Sequence, residues 1–306
     1  MELRSVGNSD LVVSVVGLGC NNFGGRLDLE GTRQVVEAAL DAGITFLDTA
    51  DVYGNRGGSE LLLGEILEGR RDQVVIATKF GWDLGAEGQA LRGSREYVKQ
   101  AIDASLERLR TDHVDLYYYH RPDGVTPFEE TLGAMHEVVE EGKARFIGCS
   151  NLTAEQLREV DDIVRRSGST RIVALQNEYS FLERDAERDV LPLSRELGVG
   201  FVPYFPLASG LLTGKYRRGE PAPPGSRLEG RTEAMADECF DRVEELERFA
   251  RVRGHTLLEL AIGGLASTPG VASVIAGATT AEQARANAAA GSWQLSPADL
   301  DALALL

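Results

Sequence analysis

The sequence predicts an α/β protein: a single domain, residues 1–306, folded as a (β/α)8 TIM barrel behind an N-terminal β-hairpin and closed by a short C-terminal helix. Three observations predict it. Short apolar, β-favouring runs alternate with helically patterned stretches along the whole chain. The strand-then-helix unit recurs eight times, which favours a closed barrel over an open sheet. No composition break, low-complexity tract or repeat divides the chain, and 306 residues suit one large α/β domain.

The elements follow in order. Residues 3–15 alternate loosely about the turn-rich Gly7-Asn8-Ser9-Asp10 and read as a hairpin. Residues 15–19 form the first core strand, and a helix over 32–41 places Val35, Val36, Ala39 and Leu40 on one face before stopping at Gly43. Ile44, Phe46 and Leu47 then make a buried strand ending in Asp48. Ser59 caps a helix over 59–67, and 74–79 is the third strand. A helix over 94–109 carries the stripe Val98, Ile102, Leu106, Leu109, and 114–120 is the fourth strand. Thr126-Pro127-Phe128-Glu129 reads as a capping box with Pro at the first helical position, for a helix reaching 141. Strand 145–149, a helix capped by Thr153, strand 172–176, helix 186–197 and strand 200–204 continue the alternation. Helices over 239–252 and 257–266, strand 273–276, a helix capped by Thr280 and a terminal helix opened by Ser296-Pro297-Ala298-Asp299 complete it. The irregular stretches 81–93 and 207–231 both follow strands, so a barrel places both at its catalytic rim.

A net charge of −16 argues against nucleic acid and anionic membrane surfaces as partners, and requires any anionic ligand to be met by a local basic or amide-rich site. The widely spaced Cys20, Cys149 and Cys239 give no disulfide framework, and a reducing cytoplasm fits them best. The N-terminus lacks a charged-then-apolar leader, and no apolar run is long enough to cross a bilayer. The four histidines are scattered, without metal-ligand spacing, so no metal site is expected.

Four polar residues stand at or just past the ends of neighbouring strands: Asp48, Tyr53, Lys79 and His120. Each has an ordinary explanation alone: a turn cap, a packing aromatic, a snorkelling lysine, a rim histidine. A barrel brings all four to one small area, and the conjunction carries the information. Lys79, held ionised by Asp48, is expected to lower the pKa of Tyr53 and make it a proton donor to a developing alkoxide, while His120 orients and polarises a carbonyl. No Ser or Cys nucleophile stands beside a base. The set suits proton delivery coupled to hydride transfer from a bound nicotinamide. Gly17-Leu18-Gly19-Cys20-Asn21-Asn22 begins like a dinucleotide fingerprint, but Asn22 replaces the third glycine and no helix opens there. A barrel phosphate site is expected instead, from Pro206, Leu207, Ser209, Gly210, Leu212 and Lys215 after the seventh strand, and from the helix start at Gly277-Ala278-Thr279-Thr280 after the eighth.

Along essentially the whole chain these residues resemble the aldo-keto reductase family, in its bacterial and potassium-channel-β-subunit-like branch. Asp48-Thr49-Ala50 through Tyr53-Gly54 resembles its first signature, and Lys79 and His120 complete its tetrad. The resemblance implies that Ser150, Asn151 and Gln176 bind the nicotinamide carboxamide and that Tyr204 stacks on its ring. It implies a pyrophosphate loop from Pro206 to Tyr216 and an adenosine-phosphate segment with Thr279, Gln283 and Asn287 as contacts. Phe205, Gly277, Gln283 and Ala286 depart from residues common in the family, and Arg285 is available to compensate. The implied activity is reduction of aldehydes or ketones with NADP as cofactor, NAD being the alternative. Oxidation of aldoses at C1 and a cofactor-sensing regulatory subunit are the other readings. A substrate pocket is expected between Phe23, Tyr53, Trp82 and the two long loops, with a small carbonyl compound as partner. The short C-terminus implies broad specificity, and oligomeric state stays open.

Overall fold

The computed structural model describes residues 1–82, 91–230 and 237–306. A two-stranded antiparallel hairpin, β1 (Leu3–Ser5) and β2 (Val12–Ser14), precedes eight parallel strands. These are β3 (Val16–Gly19), β4 (Phe46–Asp48), β5 (Val75–Phe80), β6 (Val114–Tyr119), β7 (Ala144–Ser150), β8 (Ile172–Gln176), β9 (Gly200–Phe201) and β10 (Val274–Gly277). They hydrogen-bond in the order β10-β3-β4-β5-β6-β7-β8-β9, so each new strand adds beside the last and β10 returns to β3. The ends meet where Phe201 bridges Val271 and the Ile275 N–H donates to the Pro203 carbonyl at 3.0 Å. The expected α/β barrel is the observed architecture, hairpin and terminal helix (Pro297–Ala304) included.

Two apolar cores follow from the period of two along each strand. Phe46, Ala77, Leu116, Tyr118, Ala174, Val202 and Ile275 point inward and fill the barrel, joined from the strands' N-terminal end by Val6, Leu11 and Val13 of the hairpin. The hairpin turn seats close: a Cβ on Gly7, whose φ is +57°, would lie 2.3 Å from the Gly198 carbonyl oxygen. The larger core lies between the strands' outer faces and the helices, and includes Val35, Val36, Ile102, Leu132, Leu157 and Leu246.

Several helix starts differ from expectation. The first helix is Leu29–Asp41, capped by Asp28, whose carboxylate accepts the Gly31 N–H at 2.9 Å. Ser59 is not a cap. It lies within helix Tyr53–Ile66 beyond four left-handed residues, Gly54 to Gly57, and its buried hydroxyl donates to the Cys20 carbonyl at 2.9 Å. Thr126 does not cap helix Phe128–Glu140, because its hydroxyl donates to Asp123 instead, at 2.7 Å. Thr153 and Ser296 do form the expected capping boxes, with Gln156 and Asp299. The stretch from Leu257 is helical but carries a π-turn at Leu260–Gly264. Residues 83–90 of one expected rim loop and residue 231 of the other lie outside the described residues.

Candidate active site

Strand parity decides which side chains reach the barrel mouth. Two residues beyond an inward-facing core position, toward the C-terminal end, stands another that faces the axis. Phe46 thus leads to Asp48, Ala77 to Lys79, Tyr118 to His120, Ala174 to Gln176, Val202 to Tyr204 and Ile275 to Gly277. A (β/α)8 barrel places its chemistry at this end. Tyr53 arrives from the start of the helix after β4.

Lys79 is completely buried. Its Nζ donates to Asp48 Oδ2 at 2.6 Å and to the Thr49 carbonyl at 2.8 Å, and lies 5.0 Å from the centre of the Tyr53 ring. The other Asp48 oxygen accepts from Gln176 Nε2 at 2.9 Å, so one carboxylate ties β4 to β5 and β8. Burial works against the Lys79 charge, but attraction and hydrogen bonding from Asp48 and Tyr53 prevail and hold its pKa above the ordinary value. The expectation for Tyr53 needs correction: burial pushes its phenol up, and the opposing pull of Lys79 only limits the rise. His120 is pushed down to about 2, by burial first and then by the charges of Lys79 and Arg121, so its imidazole is neutral. Its Nδ1 is buried with no hydrogen-bond partner among the described residues, and its ring meets Tyr53 edge-on at 5.9 Å and Trp82 at 4.7 Å.

A cleft of about 1080 Å³ opens over this group and runs past the ends of β8, β9 and β10. Asp48, Tyr53, His120 and Trp82 line it, and Lys79 lies beneath its floor. Asn151, Gln176, Tyr204, Pro206, Leu207, Ser209, Gly210 and Lys215 line it too, as do Gly277, Thr279, Gln283 and Asn287. Three expected contacts are not among its lining residues. Phe23 is fully buried in the outer core, so it does not flank a substrate there. Leu212 is fully buried in the same core. Ser150 is buried and donates its hydroxyl to the Gln176 carbonyl at 2.6 Å, which makes it a support for Gln176.

Backbone shape explains the loop after β9. Phe205, Ala208, Ser209 and Gly210 all have positive φ, which turns the chain sharply beside Lys215. A Cβ on Gly210 would lie 2.9 Å from Lys215 Cε, so glycine lets the lysine stem pack there. Asn151, also left-handed, donates to the His120 carbonyl at 2.9 Å and accepts from the Tyr204 hydroxyl at 2.7 Å, locking both walls. At the far end Gln283 Oε1 accepts from the Thr279 N–H at 2.8 Å, and Asn287 Nδ2 donates to the Gly277 carbonyl at 3.2 Å. Arg285 pairs with Glu282 at 3.2 Å and is not among the lining residues.

Sequence reasoning missed Asn21, Asn22, Arg26, Arg121, Glu178 and Arg227, which also line the cleft. The two asparagines follow β3, in the stretch set aside as a failed fingerprint; their position at a strand's end was the available signal. Arg26 donates to the Gly225 carbonyl at 3.2 Å, fastening the loop after β9 across the cleft.

The residue types match a dinucleotide: turned backbone, hydroxyls and Lys215 at one stretch, a capped helix start at another, and the rings of Tyr204 and Tyr53 in the same lining. Comparison with known proteins agrees. The profile of the Aldo/keto reductase family matches residues 15–305. The chain is 37% identical over 294 residues to a rice (Oryza sativa subsp. japonica) protein described as "Probable voltage-gated potassium channel subunit beta", covering 92% of this chain and 89% of that one. An Arabidopsis thaliana protein of the same description is 37% identical, covering 94% and 90% of the two chains. "L-glyceraldehyde 3-phosphate reductase" of Escherichia coli (strain K12) is 34% identical, covering 94% and 86%. Barrel, mouth and relatives converge: the chain belongs to the aldo/keto reductase family, and is an oxidoreductase of a family that generally uses NAD(P)H.

Proposed function

We propose that this protein reduces aldehyde or ketone carbonyls to alcohols with NADPH, Tyr53 donating the proton. The observation that carries the reading is the buried Lys79 ammonium, held by Asp48 under the Tyr53 ring at the floor of the cleft. A nicotinamide, when bound, supplies the hydride. The chain's own residues do the rest. Tyr53 holds a proton on its hydroxyl and passes it to the alkoxide oxygen. Lys79 stabilises the phenolate left behind, and Asp48 keeps that lysine charged. Neutral His120 orients the carbonyl by hydrogen bonding rather than by charge. Asn151, Gln176 and Tyr204 would hold the nicotinamide end, and Ser209, Gly210 and Lys215 the pyrophosphate.

Reduction, rather than oxidation of alcohols or aldoses, draws support from the reductase among the relatives. Substituting Tyr53→Phe is expected to lower NADPH oxidation with an aromatic aldehyde by about 100-fold or more while NADPH still quenches intrinsic fluorescence. Unchanged turnover refutes the assignment. Preference for NADP draws support from Arg26, Lys215 and Arg227 in the lining and from the family resemblance; Gly277 and Gln283 add no charge of their own. Equal KM values for NADPH and NADH would remove it.

A second reading, a cofactor-sensing subunit, is favoured by the 37% identity to proteins bearing a channel-subunit description. Tight NADPH binding with no turnover across a broad carbonyl panel would select it. No helix among the described residues is long and apolar enough to cross a membrane. We place the protein in the cytoplasm with a small carbonyl compound as its substrate, a reading supported by its separate, largely buried thiols and its acidic surface.

A further inference from the structure

We infer that Glu60 and Thr78, with Arg108 behind them, are positioning residues for the proton donor: they fix Tyr53 over Lys79 by pinning the helix that begins at Tyr53 to the strands that carry Asp48 and Lys79. The inference rests on the carbonyl-reductase reading above and deepens it.

Strand alternation sets a second polar residue beside each of those two charged groups. Lys79 faces the barrel axis, so Thr78 before it faces the helices; Asp48 faces the axis, and Thr49 after it turns to the helices. Both threonines are fully buried, as are Ser59 and Glu60 of helix Tyr53–Ile66. Thr78 donates its hydroxyl to Glu60 Oε1. Ser59 gives its one hydroxyl proton to the Cys20 carbonyl, so Thr49 is the donor in the 2.8 Å bond between Thr49 and Ser59. The Thr49 carbonyl in turn accepts from Lys79 Nζ at 2.8 Å. Two adjacent helix residues are thus bonded to the immediate chain neighbours of Asp48 and Lys79.

The helix needs such pins because of how it begins. Four successive left-handed residues, Gly54 to Gly57, separate Tyr53 from Ser59 and Glu60. Two of them, Asn55 and Arg56, carry side chains in a region that disfavours them, and a turn of that kind persists only where its surroundings hold it. Glu60 holds the far end. Its second oxygen accepts from Arg108 Nε at 2.7 Å, and Arg108 comes from the neighbouring helix Arg95–Leu109. The Arg108 stem also braces the turn itself: a Cβ on Gly57 would lie 2.5 Å from Arg108 Cδ. A buried ion pair is a poor source of net stability, so the work of Glu60 and Arg108 is geometric. What they guard is the 5.0 Å between Lys79 Nζ and the centre of the Tyr53 ring. A displacement of about 1 Å at a reacting group costs about 100-fold in rate.

The test uses NADPH and an aromatic aldehyde. Thr78→Val keeps the shape of the side chain and removes the donor, whereas Thr78→Ser keeps the donor. Thr78→Val is expected to lower kcat by about 10- to 100-fold, with the Kd for NADPH and the KM for the aldehyde within about twofold of the parent. Its solvent deuterium isotope effect on kcat is expected to rise, because transfer of the Tyr53 proton becomes slower. Thr78→Ser is expected to restore most of the rate and the parent's isotope effect. Arg108→Gln, at a partly exposed site, carries the same expectation as Thr78→Val and replaces it if circular dichroism shows that Thr78→Val does not fold. An unchanged kcat in a folded variant, a loss confined to Kd or KM, an unchanged isotope effect, or a Thr78→Ser as slow as Thr78→Val overturns the inference. Parent turnover that survives the substitutions sinks this inference alone; no turnover by the parent sinks the reductase reading beneath it.

Discussion

Asp48 divides its two oxygens between Lys79 and Gln176, and the arrangement is unforgiving because Lys79 has no water to fall back on. A buried pair contributes little net stability, yet removing one partner strands the other charge. Asp48→Asn is therefore expected to lower both turnover and stability, the latter by about 3–5 kcal/mol in urea unfolding. The pH behaviour has a definite sign. His120, depressed from 6.5 to about 2, stays neutral in the fold while an unfolded chain protonates it, so its contribution to stability is lost as pH falls below 6.5. Turnover is accordingly expected to show no His120 inflection between pH 5 and 8. Asp51 runs the other way: burial, then the charge of Glu60, raises it from 3.8 to about 7, and its Oδ1 has no hydrogen-bond partner among the described residues. The fold holds that proton longer than the unfolded chain does, so stability is lost as pH rises through 7. Asp51→Asn is expected to raise Tm more at pH 8 than at pH 5, by scanning calorimetry. The meeting of Asp48, Tyr53, Lys79 and His120 was legible because strand ends converge in a barrel. The upward shift of Tyr53 was not, because charge partners can be read from sequence while the depth of burial that outweighs them depends on packing.

Elements carry their own constraints. A Cβ on Gly148 would lie 2.6 Å from the Tyr118 ring and 2.8 Å from the Ala174 carbonyl, where the register between β7 and β8 shifts. Gly148→Ala is expected to cost about 1–3 kcal/mol in urea unfolding. Thr153→Ala, which removes one half of a formed capping box, is expected to cost about 1 kcal/mol. Strands were legible from their apolar runs, and caps such as Thr153 from their spacing. Thr126 and Ser59 fit the same local pattern but bond elsewhere: the Thr126 hydroxyl turns back to Asp123, a competing neighbour, and Ser59 reaches the distant Cys20 carbonyl, which no window of sequence contains. Phe23 failed as a pocket residue for a similar reason. An aromatic just past a strand can turn toward either core, and this one entered the helix-facing layer.

At the scale of the whole molecule, alternation and count were enough to anticipate the barrel, and the excess of acid over base sets how it responds to its solvent. Self-repulsion from a net charge of −16 is expected to ease with salt, raising Tm between low and physiological ionic strength. The hairpin's role was not legible, since β1 and β2 look like any short antiparallel pair until Val6, Leu11 and Val13 are seen inside the barrel. That stopper lies opposite the cleft, and the packed interior between them offers no passage, so among the described residues both reactants would meet the site from the cleft's side. Two reactants sharing one doorway must queue: whichever sits deeper enters first and departs last. Steady-state inhibition patterns should then show a compulsory sequence rather than a random one.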